Sequence, residues 1–319
     1  MKTFALLTLA AMTVLTVVLI SNPQTSEEIQ FQDFLDTYRV GYTNTNEYEY
    51  RLSVFSANLQ KIQELNQDST ATFGVNQFAD RTSEEMKSSM GFKDDFKSCP
   101  DQKEDNTNAQ SVDWTSLWAH TKNQASCGSC WAFSAIGSFE SRYALAQGQF
   151  EVTTFFSEQQ LVDCDNQSAG CNGGLMDLAF SYLDGHNLCT EEEYSYHARA
   201  SKCKDTSCTG PTVVHEHYCY DLASDAESVI TELQNGPISI AVDATAWQFY
   251  KGGVMDAKKC NFKGLDHGVT LVAADVDAKS VTVRNSWGDN WGESGYIRLS
   301  MDDNACGWTN DASVPNIAA

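Results

Sequence analysis

Apolar and polar positions recur along this chain with several distinct periods. Phe4 to Ile20 is an uncharged apolar run behind Lys2, and it is broken at once by Ser21, Asn22, Pro23 and Gln24. That order reads as a signal peptide over 1–20. An uncleaved anchor is the rival, because 17 residues lie at the lower edge of a spanning helix, but Thr8, Thr13 and Thr16 weaken it. No second long apolar run follows, so no stable membrane insertion is expected of the remainder.

Residues 27–66 carry few Gly and no Pro, and read as helical. Within them Glu47, Arg51, Phe55, Asn58, Ile62 and Asn66 stand 4, 4, 3, 4 and 4 apart, which is one face of a long helix. A face mixing charge, amide and apolar groups suggests a helix held by both packing and hydrogen bonds. Glu47 and Arg51 are spaced for an i, i+4 ion pair. Downstream, Gly74, Asn76, Phe78 and Asp80 alternate as they would along a strand. Lys97 to Gln110 is polar, carries Pro100 and has no apolar period, so it reads as an exposed linker open to proteolysis. A Gly-Ser turn then leads into a helix starting near Cys130, and Leu265 to Ala273 reads as an apolar strand. There are no internal repeats.

Composition narrows the function. With 42% hydrophobic residues the chain can fill a core, and 43 acidic against 21 basic residues give a net charge of −22. That balance argues against nucleic-acid binding, which needs clustered Lys and Arg. The acidity fits simple solubility; it also fits a protein working in acid, where protonation relieves self-repulsion. Eleven cysteines behind a signal peptide should mostly pair, and an odd number leaves at least one thiol over or bonded to another molecule.

The leftover thiol has a candidate. In Gln124-Ala-Ser-Cys127-Gly-Ser-Cys130-Trp131, Cys130 opens the expected helix, where the positive end of the macrodipole favours thiolate. Cys127 and Cys130 also have the spacing of a redox pair, but that chemistry needs a βαβ context the surroundings do not supply. A thiolate nucleophile needs a base. His267 lies 137 residues further on, in the apolar strand, and Asn285 follows before Ser286 and Trp287. An Asn amide oxygen can fix the imidazole tautomer, and Trp287 can shield that bond from water.

These segments, in this order, resemble the papain family of cysteine proteases. E-x3-R-x3-F-x2-N-x3-I-x3-N and G-x-N-x-F-x-D resemble the proregion motifs of its cathepsin L-like branch. The resemblance covers nearly the whole chain. It implies an α+β, two-lobe fold: a helical lobe around Cys130 and a β-barrel-like lobe carrying His267 and Asn285. A small helical inhibitory prodomain would precede it, placing a proregion at 21–107 and a peptidase domain at 108–319. It implies Gln124, Cys130, His267 and Asn285 as the catalytic set, with Gln124 in the oxyanion hole. The bridges it implies are Cys127–Cys171, Cys164–Cys203 and Cys260–Cys306, with Cys208 a rival for Cys164. Pairing among Cys99, Cys189, Cys208 and Cys219 stays open.

By the same resemblance Gly173 and Gly174 form a backbone wall for extended substrate, Trp287 adjoins the cleft, and Leu175, Met176, Ala241 and Gly268 line an apolar S2 pocket. Asp311 falls at that pocket's floor by counting from Cys306, or else faces solvent. The implied partners are polypeptide substrates, the chain's own proregion and cystatin-like inhibitors; the implied enzyme is a monomer without cofactor. The secretory route leads to a lysosome, a digestive vacuole or the outside. His215 and His217 share a strand face without further ligands, so no metal is expected. Asn166-Gln-Ser168 is a glycosylation sequon. Ala125 stands where the family usually has Gly. A catalytically silent binding protein is the rival class, and it would not need all four polar groups.

Overall fold

The computed structural model describes residues 25–93, 108–204, 208–211, 219–222, 224–315 and 317, without the side chains of 219–221. The signal-peptide run, Cys99, His215, His217 and the Cys219 side chain therefore lie outside the described residues.

Two helices build the N-terminal unit, α1 at Ser26–Tyr38 and α2 at Thr45–Leu65. A capping box starts α1, with the Thr25 hydroxyl accepting from the Glu28 N–H and the Glu28 carboxylate accepting from the Thr25 N–H. The helix ends at Arg39 in the left-handed region. This break corrects the expectation of continuous helix over 27–66. It lets Phe31 and Phe34 pack on Phe55, at 5.2 and 5.3 Å between ring centres, and so buries both apolar faces together.

The periodic face of α2 clamps the segment that follows it. The Asn58 amide donates to the carbonyls of Ala79 and Arg81 at 2.9 and 2.8 Å. Asn66 exchanges two 2.9 Å hydrogen bonds with the Phe73 backbone. Arg51 does not take Glu47 as its partner; it reaches Glu85 at 2.9 Å and the Asp80 carbonyl at 3.1 Å. Glu85 lies in α3, Ser83–Lys87, where it also closes a capping box with Thr82. The strand expected over 74–80 does not form: the strand in this region, β1, is Ala71–Phe73 and ends before Gly74. Beyond it, the Asn76 side chain accepts from the Phe78 N–H and donates to the Gln248 carbonyl, which turns the backbone.

The body holds two cores. One surrounds α4, Cys130–Ala146, which is apolar on nearly all sides and packs against α5, Glu158–Cys164, and α6, Met176–Leu183. The other is built on a sheet. Its strands are β2 Val112–Asp113, β3 Cys219–Asp221, β4 Ile238–Val242, β5 Tyr250–Met255, β6 His267–Asp275, β7 Ser280–Arg284, β8 Tyr296–Ser300 and β9 Ala312–Pro315, with helices α7 Ala226–Leu233 and α8 Ala257–Cys260. The order is β1-β5-β8-β7-β6-β4-β9-β3, with β2 also on β6.

Pairing is antiparallel except between β5 and β8. The path begins at β1 and ends at β3, so the expected barrel-like lobe is an open sheet among the described residues. One edge is taken by β1 of the N-terminal unit, Ala71 opposite Gly253, which supplies the edge strand β5 with a partner. Disulfides join Cys127–Cys171, Cys164–Cys203, Cys260–Cys306 and Cys189–Cys208, the last pairing two cysteines whose partners the sequence did not assign.

Burial pushes the Glu85 carboxyl up, but Arg51 and the Thr82 donors outweigh it and hold it below the ordinary glutamate value. A carboxyl depressed in the folded state stabilises above its unfolded pKa and loses that contribution as pH falls through the folded one. Glu85→Gln should therefore lower the melting midpoint of the full chain near neutrality and flatten its decline below about pH 4.5. Thermal melts with an unchanged midpoint and pH profile would contradict this.

Candidate active site

Cys130 is the first residue of α4, and among the described residues it is the free cysteine. The loop before it is pinned by the Cys127–Cys171 bridge and by the Gly128 N–H on the Cys171 carbonyl at 3.0 Å. His267 opens β6 and Asn285 directly follows the neighbouring β7, so the hairpin-like pair of strands brings them together. His267 Nε2 lies 2.8 Å from Asn285 Oδ1. That oxygen also accepts the Ser286 N–H at 2.8 Å, which identifies it as the acceptor end of the amide. Nε2 must then carry the hydrogen, and the neutral ring presents its lone pair at Nδ1. Nδ1 is buried without a hydrogen-bond partner. Trp287 covers the ring at 5.0 Å between centres, and Trp247 meets it edge-on at 6.1 Å.

Gln124 is held from three sides. Ser286 Oγ donates to its Oε1 at 2.5 Å, its N–H donates to the Ser286 carbonyl, and its own carbonyl accepts from Tyr196 OH at 2.8 Å. Tyr196 OH is also 2.7 Å from Ser129 Oγ, next to Cys130. Ser286 therefore couples Asn285 to Gln124. Fixing Oε1 turns the Gln124 amide nitrogen toward the Ser89 and Cys127 carbonyls, both at 2.8 Å. Ala125 sits at φ 53°, in the left-handed region that Gly adopts without penalty, which is the backbone reason Gly is favoured there.

The cleft is covered by residues 89–92 of the chain itself. The Gly91 N–H lies on Cys130 Sγ at 3.2 Å, and its carbonyl accepts from the Gly174 N–H at 2.8 Å. Phe92 makes a parallel bridge with Gly174 and donates its N–H to the Asp266 carbonyl at 3.1 Å. Its ring belongs to the buried apolar cluster holding Leu175, Met176 and Ala241. Gly268 faces Met176 and the Cys130 carbonyl so closely that a Cβ there would lie 3.0 and 3.3 Å from them. Leu175, Gly173 and Gly174 border a cavity of about 330 Å³ beside Lys93. Ala241 pairs with Gly268 across β4 and β6, and its N–H donates to the Asp311 carbonyl at 3.0 Å. Phe78 stacks edge-on over Trp287 at 5.6 Å. Asn166 is exposed.

Covering the cleft changes its electrostatics. Burial pushes the Cys130 thiol up to about 11, against hydrogen bonds from Gly268 and Gly91 that lower it. Burial pulls His267 down to about 4, against the Asn285 bond. Desolvation here outweighs the helix end expected to favour thiolate, and both groups are held neutral. Sequence reasoning did not find Ser89, Gly91, Tyr196 or Ser286. The one available signal for the cover was Gly91 itself, the sole Gly between Gly74 and Gly128, flanked by Met90 and Phe92.

Comparison with known proteins places this geometry. A profile of the papain family cysteine proteases matches residues 108–316. The chain belongs to that family. The cathepsin propeptide inhibitor domain matches residues 31–86, so this papain-family protease is a zymogen carrying its own inhibitor. It is 40% identical over 303 residues to cathepsin F of Drosophila melanogaster, covering 87% of this chain but only 48% of that longer protein. It is 38% identical over 291 residues to cathepsin L 2 of Paramecium tetraurelia, covering 87% of this chain and 89% of that one. Digestive procathepsin L 3 from the Tenebrio molitor larval midgut superposes with a TM-score of 0.80 at 34% identity, over 92% of this chain and all of that one (100%). The papain-like α+β fold with its propeptide follows from that likeness, apart from the open sheet.

A Cβ on Gly91 would lie 2.0 Å from the Gly128 carbonyl oxygen, a backbone atom on a disulfide-pinned loop. Gly91→Ala should therefore loosen the inhibitory segment by about 1–3 kcal/mol, raising peptide hydrolysis by the uncleaved zymogen about tenfold or more. Mass spectrometry must show the chain intact. An uncleaved variant as silent as the parent would contradict the steric reading.

Proposed function

We propose that this zymogen becomes an endopeptidase acting through Cys130, His267, Asn285 and Gln124. Once residues 89–92 leave the cleft, Cys130 passes its proton to His267 Nδ1, and the thiolate attacks a peptide carbonyl. The oxyanion is received by the Gln124 side-chain amide and the Cys130 N–H. The imidazolium protonates the leaving amine, and water hydrolyses the thioester. The observation that carries this reading is the 2.8 Å His267–Asn285 bond that leaves Nδ1 unpartnered, in a cleft holding the free thiol. The Ser89 carbonyl on Gln124 Nε2 supports it, since that oxygen stands where a substrate's carbonyl oxygen would be received.

The finer assignments extend the same reading. Residues 1–20 are a signal peptide, 21–107 the proregion and 108–319 the peptidase domain, with maturation in an acidic compartment of the secretory route. Gly173 and Gly174 pair with extended substrate beside Trp287. Leu175, Met176, Ala241 and Gly268 take an apolar P2 side chain, as the burial of Phe92 among three of them suggests. Asp311 extends this pocket to Arg and Lys. The mature enzyme works as a monomer, open to cystatin-like inhibitors, with Asn166 available for glycosylation.

The test is to express the chain without residues 1–20, acidify it, and follow its mass and the hydrolysis of Leu-Arg and Phe-Arg peptide amides. Loss of the proregion should accompany activity, Cys130→Ala should abolish that activity in a folded chain, and Gln124→Ala should lower kcat by about 10²–10³. A Cys130→Ala chain cleaving as fast as the parent would overturn the nucleophile. In a P2 library, Asp311→Ala should lower Arg cleavage relative to Leu; an unchanged ratio would remove Asp311 from the pocket.

A further inference from the structure

A cavity of about 710 Å³ lies away from the cleft. It lies in the helical lobe between segments 119–123, 153–158 and 190–196, with Phe133, Phe155 and Tyr196 among its walls. Phe155 is 39% exposed at the wall, while Phe133 stacks edge-on against Tyr196 at 4.8 Å. No residue assigned to catalysis or substrate binding lines it.

Its charges do not balance. Lys122 reaches Glu140 and Glu158 at 2.8 and 2.7 Å, and Glu191 stands on the same cavity wall as Lys122 and Glu158. Lys122 thus meets two carboxylates, with Glu191 on the same wall, and each of the three keeps one buried oxygen, Oε2, with no hydrogen-bond partner in the protein. Glu158 is only 1% exposed. An unpaired buried carboxylate oxygen is costly unless a proton or a cation compensates it. Burial pushes the Glu158 carboxyl up to about 7, against the pull of Lys122, as expected of a carboxylate short of positive charge. The wall also shows which cation suits it: Lys122 Nζ lies 5.5 Å from the centre of the Phe155 ring, so an ammonium already rests on this aromatic face. Glu192 and an Asp289-paired His120 complete the charged lining.

We propose that this cavity is a binding site for a small organic cation, with an ammonium or guanidinium head on Glu158 and Glu191 and an apolar tail against Phe155 and Phe133. The head supplies the missing positive charge, and the tail covers an exposed ring. The site is separate from the cleft and stands whether or not the catalytic roles above hold. It shares one side chain with the catalytic loop, since Tyr196 lines the cavity while its hydroxyl holds the Gln124 carbonyl.

The test uses the full chain carrying Cys130→Ala, in which the proregion still fills the cleft and cannot be lost to self-cleavage. Phenethylammonium is titrated calorimetrically, with 2-phenylethanol as its neutral counterpart. Saturable binding at one per chain is expected, with the alcohol about tenfold weaker or worse. Glu158→Gln and Glu191→Gln should each weaken the cation about tenfold while leaving the alcohol unchanged. Glu158→Gln also removes a Lys122 partner and can harm folding. Glu191→Gln keeps its acceptor for the Tyr196 N–H, and Phe155→Ala changes a partly exposed ring, so these two variants are the decisive ones. No saturable binding, equal binding of the alcohol, or undiminished cation binding in both of those variants would overturn the proposal.

Discussion

The contact on which the rest of the molecule turns is the Gly91 N–H on the Cys130 sulfur. A backbone amide can approach a thiol that closely only if the chain around it is held on both sides. Here the Gly174 N–H and the Asp266 carbonyl hold the segment as a strand would be held. Absence of a side chain at Gly91 lets it pass the Gly128 carbonyl. The result is that the proposed reacting pair is removed from water and therefore uncharged, with the thiol raised and the imidazole lowered. On the proposed mechanism, inhibition is electrostatic as well as steric: the segment excludes substrate and also the solvent that an ion pair needs.

The N-terminal unit reaches that position through contacts far from the sulfur. Strand β1 pairs with β5, the Asn76 side chain donates to the Gln248 carbonyl, the Gln248 side chain donates to the Phe78 carbonyl, and Phe78 stacks on Trp287. Each of these fixes the register of residues 71–80, and α3 then delivers residues 89–92 to the cleft. The catalytic side is held with equal economy. Ser286 ties Asn285 to Gln124, and Tyr196 ties Gln124 to the residue before Cys130. The proposed nucleophile, base and oxyanion donor are thereby tied to one hydrogen-bonded frame spanning both cores.

Much of this was legible in the sequence. Cys130 at a helix start and His267 on an apolar strand follow from local pattern, and the structure places them so. The mixed face of α2 correctly implied a helix held by hydrogen bonds. Periodicity names a face but not its partner, however. Arg51 is long enough to bypass Glu47 for Glu85, 34 residues away. Alternation over 74–80 resembled a strand, yet Asn76 bonds its own backbone and turns the chain. The break at Arg39 has Gly41 two residues on, but the helical pattern on either side outweighed that signal; the aromatic packing between the two helices shows what the turn achieves. Beyond the lone Gly91, residues 89–92 have no local signature of a cleft-filling segment, because their role depends on atoms distant in the chain.

The most direct measurement is the rate of Cys130 alkylation by iodoacetamide as a function of pH, in the intact zymogen and in the chain after proregion removal. In the intact zymogen, slow alkylation rising only in the alkaline range is expected, as for a buried thiol near 11. After removal, fast alkylation that persists into acid is expected, as for a thiolate paired with imidazolium. Equal rates with the same inflection in both forms would contradict the claim that the covering segment holds the pair neutral.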